Sequence, residues 1–242
     1  MNSLLLLSKN DIPFKEAQVN IHQPTIDEIS LISEESFHIG CQFLNFSLDM
    51  IPEKDKFYLE NKTDFEIFMS IMNSKENLKY CNDALLVLTL LFPEYEIKLT
   101  EVEILLLGGP AGCGRINKFN FNAFKEILVN MFQLNFSGDG SDAYNPADAR
   151  AAKIAEKFNK RKKILAERKG EKIEDIAILE RYVSILTVGE QKDRNSLMQL
   201  TVSQLKDEFA RYQLKYQNDI YLRAKMAAAQ DLEEIEDWMK PI

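Results

Sequence analysis

The sequence predicts a predominantly helical α+β protein, with a small mixed N-terminal domain and a helical C-terminal domain. Three observations lead to this prediction. Short segments at 17–21 and 95–99 alternate apolar and polar residues, and with a run at 102–107 they indicate a short antiparallel sheet. Apolar residues spaced three and four apart indicate helices over most of the remainder. A stretch rich in Gly, Ser and Asp at 135–145 has the composition of a linker.

We therefore predict an α+β domain over 1–134, a linker over 135–145 and an all-helical domain over 146–242. A length of 242 residues accommodates one large or two small domains, and an apolar content of 45% supports a packed core. Leu4 to Leu7 are interpreted as a first buried strand. The longest apolar region, 84–92, is far shorter than the roughly 20 residues that cross a bilayer.

Local signals place the helices of the N-terminal domain. Thr25 and Glu28 are spaced as a capping box, and Thr63 with Asp64 starts a second helix. Gly40 lies inside a predicted helix, where we expect a bend or a break. A third strand is expected at 115–120, followed by a helix capped by Asn120 or Asn122. The predicted core helix carries apolar residues at spacings of three and four: Leu78, Cys81, Leu85, Leu88 and Phe92.

The C-terminal domain is predicted to begin with a long basic helix, which Asn145 caps and Pro146 opens. Residues 150–172 contain ten basic and three acidic residues, a local charge of +7 in a chain of net charge −8. Two interpretations stay open. The basic face is solvated, or it binds an acidic partner, with nucleic acid as the weaker form of that hypothesis. The candidate partner-binding residues here are Lys160, Arg161, Lys162 and Lys163.

The following helices are predicted to pack together. One ends at Gly189, and the next begins with a capping box of Thr201 and Gln204. Its apolar stripe is predicted to include Leu205, Phe209, Tyr212 and Tyr216. We expect a new, alanine-rich helix capped by Asn218 or Asp219, and a last helix from Asp231. Trp238 and Met239 on that last helix either pack on the bundle or anchor a partner.

No catalytic or cofactor site is predicted. Gly109 and Gly114 have the spacing of a phosphate-binding loop, but Arg115 and Ile116 stand where its lysine and hydroxyl belong. We interpret this stretch as a connection between strands. The chain has two histidines and three cysteines, none in metal-ligand register, and free thiols are typical of a reducing cytoplasm. We therefore expect a protein that is not an enzyme and that needs no cofactor or metal.

The C-terminal part resembles tail assembly chaperones, or neighbouring tail-module proteins, of tailed phages with low-GC hosts. The residues that carry this resemblance are Asp148–Ala155, Lys160–Lys163, Glu180–Leu186, Ala210–Tyr212 and Asp231–Lys240. The resemblance implies a non-enzymatic factor in the cytoplasm of the infected host. Such a factor binds the tape-measure protein, a long helical protein, during tail assembly.

Two other functions stay open at this point. The first is a structural tail or baseplate component, which would remain in the virion. The second is a nucleic-acid-associated protein that uses the basic segment 150–172. Under the lead hypothesis, we expect the partners to be the tape-measure protein or other tail proteins. We also expect the chain to form a homo-oligomer.

Overall fold

The computed structural model describes residues 3–47, 62–74, 78–110, 112–134 and 178–227. The strands are β1 (Ile12–Phe14), β2 (Val19–Ile21), β3 (Glu96–Leu99), β4 (Ile104–Gly109) and β5 (Gly112–Ile116). The helices before residue 135 are α1 (Ser3–Leu6), α2 (Ile26–Ser30), α3 (Glu34–Leu44), α4 (Asp64–Met72), α5 (Leu78–Leu91) and α6 (Phe121–Phe132). The helices after residue 177 are α7 (Ile178–Gly189), α8 (Arg194–Met198) and α9 (Val202–Met226).

The predicted α+β class is confirmed, because helices dominate and two small antiparallel sheets lie in the N-terminal half. One sheet is the hairpin β1–β2, and the other has the strand order β3-β4-β5. In the second sheet Leu99 pairs with Ile104, and Ile104 pairs with Ile116. Ile104 and Ile116 are buried, so this face of the sheet packs on the helices.

Helices α3 and α5 pack closely because α3 carries a glycine at the point of contact. A Cβ atom added at Gly40 would lie 2.5 Å from the carbonyl oxygen of Asp83 and 2.6 Å from Cγ2 of Val87. Helix α3 continues through Gly40, so no break occurs there. The absence of a side chain serves helix packing at this position.

The described residues on both sides of the gap at 135–177 contribute to one hydrophobic core. Buried residues of α7 and α9, including Leu186 and Leu205, belong to the same cluster as Phe37 and Phe132. The backbone also joins the two parts, since the N–H of Ile26 donates to the carbonyl of Leu200 at 2.9 Å. The predicted linker 135–145 lies outside the described residues, and the division into 1–134, 135–145 and 146–242 stays a prediction.

Two other local predictions, at Leu4 to Leu7 and at Asn218 and Asp219, are wrong. Leu4 to Leu7 form a short helix and a turn instead of a buried strand, and Leu4 is 72% exposed. Four consecutive leucines have no helical or strand periodicity of their own, so their secondary structure depends on the segments that pack around them. Asn218 and Asp219 do not start a new helix, because α9 runs unbroken from Val202 to Met226. No proline or glycine interrupts this stretch, and intrahelical hydrogen bonding prevails over the capping preference of the two residues.

Candidate protein-binding surface

The first half of α9 is built into the core. Its capping box is present as predicted: the N–H of Thr201 donates to Oε1 of Gln204 at 2.9 Å, and the N–H of Gln204 donates to Oγ1 of Thr201 at 3.4 Å. The buried Ser203 hydroxyl donates to the carbonyl of Met131 at 2.6 Å. With Leu205 fully buried, these contacts fix the position and direction of the helix.

Lys206 joins α9 to the end of α6. Its Nζ donates to the carbonyls of Phe132 at 2.7 Å and Gln133 at 3.0 Å, where α6 ends and leaves carbonyls without helical partners. Burial lowers the pKa of Lys206 below its ordinary value, and the nearby Cys41 thiol opposes that effect. A cation at a helix C-terminus also interacts favourably with the helix dipole.

Helix α7 and Glu190, which follows it, contact α9 as far as Lys215. The rings of Tyr182 and Phe209 are stacked with centroids 3.9 Å apart. The hydroxyl of Tyr212 lies against Gly189, where an added Cβ atom would approach it to 2.4 Å. Nζ of Lys215 lies 3.5 Å from Oε1 of Glu190, so this lateral contact reaches the middle of α9.

The distal segment of α9, defined as residues 213–226, extends the same apolar stripe into solvent. Leu205, Phe209, Tyr212, Tyr216 and Ile220 follow one another at spacings of three and four, which places them on one face of the helix. Leu205 is fully buried, Tyr216 is 56% exposed and Ile220 is 51% exposed. The stripe therefore leaves the core in mid-helix and becomes an accessible apolar surface.

Further apolar and basic side chains widen this surface. Leu222 is exposed, and Met226 is 87% exposed. Arg223 and Lys225 supply positive charge in the last turn, and Nζ of Lys225 lies 5.9 Å from the ring centroid of Tyr221. A helix of 25 residues is about 37 Å long, so the distal segment offers roughly 20 Å of helix to a partner. Exposed apolar residues in helical register are suited to helix-on-helix recognition.

The predicted partner-binding residues lie elsewhere in the chain. Lys160, Arg161, Lys162, Lys163, Trp238 and Met239 all fall outside the described residues, so their role stays a prediction. In the structure, the exposed part of the apolar stripe is formed by Tyr216 and Ile220. The sequence signal for them was the stripe from Leu205 to Tyr216, but periodicity identifies a face and does not tell whether that face is covered.

The glycine-rich stretch is a hairpin, as predicted. It connects β4 to β5, and Gly108 and Gly112 have φ angles of 77° and 96°, in the left-handed region that favours glycine. A phosphate-binding loop would instead lead from a strand into a helix N-terminus. Among the described residues, no cluster of three or more His, Cys, Asp or Glu side chains is arranged to hold a metal ion. No helix in the described ranges is long and apolar enough to span a bilayer.

Comparison with known proteins connects the C-terminal part to phages. Residues 168–242 match the family model of the YomV second domain. The YomV-like family is a phage-derived family of Bacillus, and the match indicates phage origin, in agreement with the resemblance seen in the sequence. Helices α7, α8 and α9, with the distal segment, lie within the matched residues. Comparison with curated proteins and with solved structures gave no match.

Proposed function

We propose that this protein is a non-enzymatic phage tail assembly chaperone that binds the tape-measure protein through the distal segment of α9. One observation carries the proposal: an apolar stripe that is buried in the first half of α9 continues in the second half as an exposed surface. A long helical partner can pack its own apolar face against Tyr216 and Ile220.

The match to a phage-derived family and the anchoring of α9 support this proposal. Because Thr201, Ser203 and Lys206 hold the first half of the helix, the distal segment is already helical before a partner arrives. A partner then binds without the entropic cost of ordering that segment. The exposed residues Arg223 and Lys225 favour a partner with acidic residues beside its apolar face.

The direct test is co-purification with the tape-measure protein of the same phage. Tyr216→Ser combined with Ile220→Ser removes the apolar contacts and is expected to weaken binding about ten-fold or more. Leu31→Ser is the control, since Leu31 is even more exposed, at 83%, but lies at the end of α2. Equal recovery of the tape-measure protein with both variants would contradict the proposal.

A second experiment separates the chaperone from a structural tail or baseplate component. Mass spectrometry of purified particles is expected to find the major tail proteins without this chain, because a chaperone leaves before the particle is complete. Recovery of the chain at a fixed copy number per particle would favour the structural alternative.

A further inference from the structure

A second surface, remote in sequence from α9, is formed around Phe119. This phenylalanine is 88% exposed in the loop between β5 and α6. A hydrogen-bonded turn holds the loop: the N–H of Phe119 donates to Oδ1 of Asn117 at 3.0 Å, and the N–H of Asn117 donates to Oδ1 of Asn120 at 2.8 Å. Nδ2 of Asn120, which is nearly buried, donates to the carbonyl of Arg115 at 2.9 Å. These hydrogen bonds therefore hold the backbone that carries the exposed ring.

A cleft of about 840 Å³ lies directly beside Phe119. One wall is the face of α4 that carries Phe65 and Met69, which form an apolar floor. The other wall consists of the β3–β4 turn and the loop of Phe119 itself, and the exposed Val102 adds apolar surface to it. The protein thus places an aromatic ridge next to an apolar groove large enough to receive an aromatic side chain.

The charges of this cleft are of both signs. Glu66 and Lys118 pair across it at 3.4 Å. Lys62 on one wall and Glu101 and Glu103 on the other line the cleft, and in the described ranges none of these three makes an ion pair. A surface that carries Lys62, Glu101 and Glu103 together with an aromatic ridge beside a groove has the elements that an isologous contact requires.

We propose that this surface is the contact between two copies of the chain, related by a twofold axis. Phe119 of each copy enters the cleft of the other, and Lys62 of each copy faces Glu101 and Glu103 of the other. A twofold interface is isologous, so each such contact occurs twice. This inference does not rest on the proposed function, because it uses neither α9 nor the tape-measure protein.

Sedimentation equilibrium of the full chain tests the proposal. The wild type is expected to have twice the mass of one chain, 27.9 kDa. Phe119→Ala should weaken dimerisation about ten-fold or more, since exposed aromatic anchors at the centre of an interface dominate its affinity. Phe119 is a surface residue, so circular dichroism should show an unchanged fold. Leu31→Ala is the control and should remain dimeric.

A charge exchange makes the test specific to this geometry. The Lys62→Glu variant by itself places like charges opposite one another in both contacts and should be monomeric. The double variant Glu101→Lys with Glu103→Lys by itself does the same and should also be monomeric. An equimolar mixture of these two variants restores opposite charges in both contacts and should give heterodimers. A monomeric wild type, a dimer that survives Phe119→Ala, or a mixture that stays monomeric would overturn the proposal. Loss of the dimer in the Tyr216 and Ile220 variant would do the same, because it would place the contact on α9.

Discussion

At the scale of single residues, Glu28 shows how one side chain serves several contacts. Its carboxylate accepts from the N–H of Thr25 at 2.7 Å, from the Thr25 hydroxyl at 3.0 Å and from the ring of His22 at 3.2 Å. Burial raises the pKa of this carboxyl, but the hydrogen bonds from Thr25 and His22 outweigh burial and hold the pKa below its ordinary value. The ionised carboxylate therefore stabilises the start of α2.

A lowered pKa in the folded state fixes the sign of the pH dependence. The contribution of Glu28 is present above the pKa of the unfolded chain and is lost as the pH falls through the lower, folded value. Glu28→Gln retains the capping geometry, as Gln204 does in α9, but removes the titration. Because the side chain is 41% exposed, solvent screening limits its contribution to the free energy of unfolding, which is lost below about pH 5, to the order of 0.5 kcal/mol.

Urea unfolding between pH 3 and pH 6 measures this difference. The free energy of unfolding should fall more steeply with decreasing pH in the wild type than in the variant. Parallel curves for the two proteins would show that Glu28 has the same pKa in the folded and unfolded chains.

At the scale of elements, α9 combines two environments in one helix. Leu205 and Ile220 lie on the same stripe, but the first is fully buried and the second is 51% exposed. The stripe changes from core to surface because α7 ends at Gly189 and supports α9 only to its middle. One continuous sequence pattern therefore has two physical roles.

A matched pair of substitutions tests this division. Leu205→Ala should lower the free energy of unfolding by about 2–5 kcal/mol, because it leaves a cavity in the core. Ile220→Ala should change it by no more than about 0.5 kcal/mol, because the site is exposed and alanine favours the helix. Thermal and urea denaturation give both values. A large loss of stability on Ile220→Ala would show that the distal segment is packed against other residues.

The elements that the sequence predicted correctly are those with local signals. The capping boxes at Thr25 and Thr201 depend on residues three apart, and both are present. The helix expected to start at Thr63 and Asp64 is also present. The predicted strands pair through a short turn, as the alternation near residues 95–107 indicated. Leu4 to Leu7 and the exposure of Tyr216 were not predictable in this way. Both depend on which distant segments pack nearby, and no local pattern encodes that.

At the scale of the whole molecule, the described residues form one core from which the distal segment of α9 extends. Residues up to 134 and residues from 178 onward contribute to the same hydrophobic core, so the anchoring of α9 depends on both parts of the chain. Thr25 and Thr201 even form a bridge between extended backbones of the two parts. A helix mounted on such a core keeps its direction, as the proposed role of holding a long helical partner requires.

Amide hydrogen exchange of the full chain, with and without the tape-measure protein, tests this account most directly. The amides of 202–212 should be protected in both states, since they lie in the anchored half of α9. The amides of 213–226 should exchange faster in the free chain and become protected when the partner is added. Protection that appears only elsewhere, with unchanged exchange over 213–226, would contradict the central claim that the exposed half of α9 binds the partner.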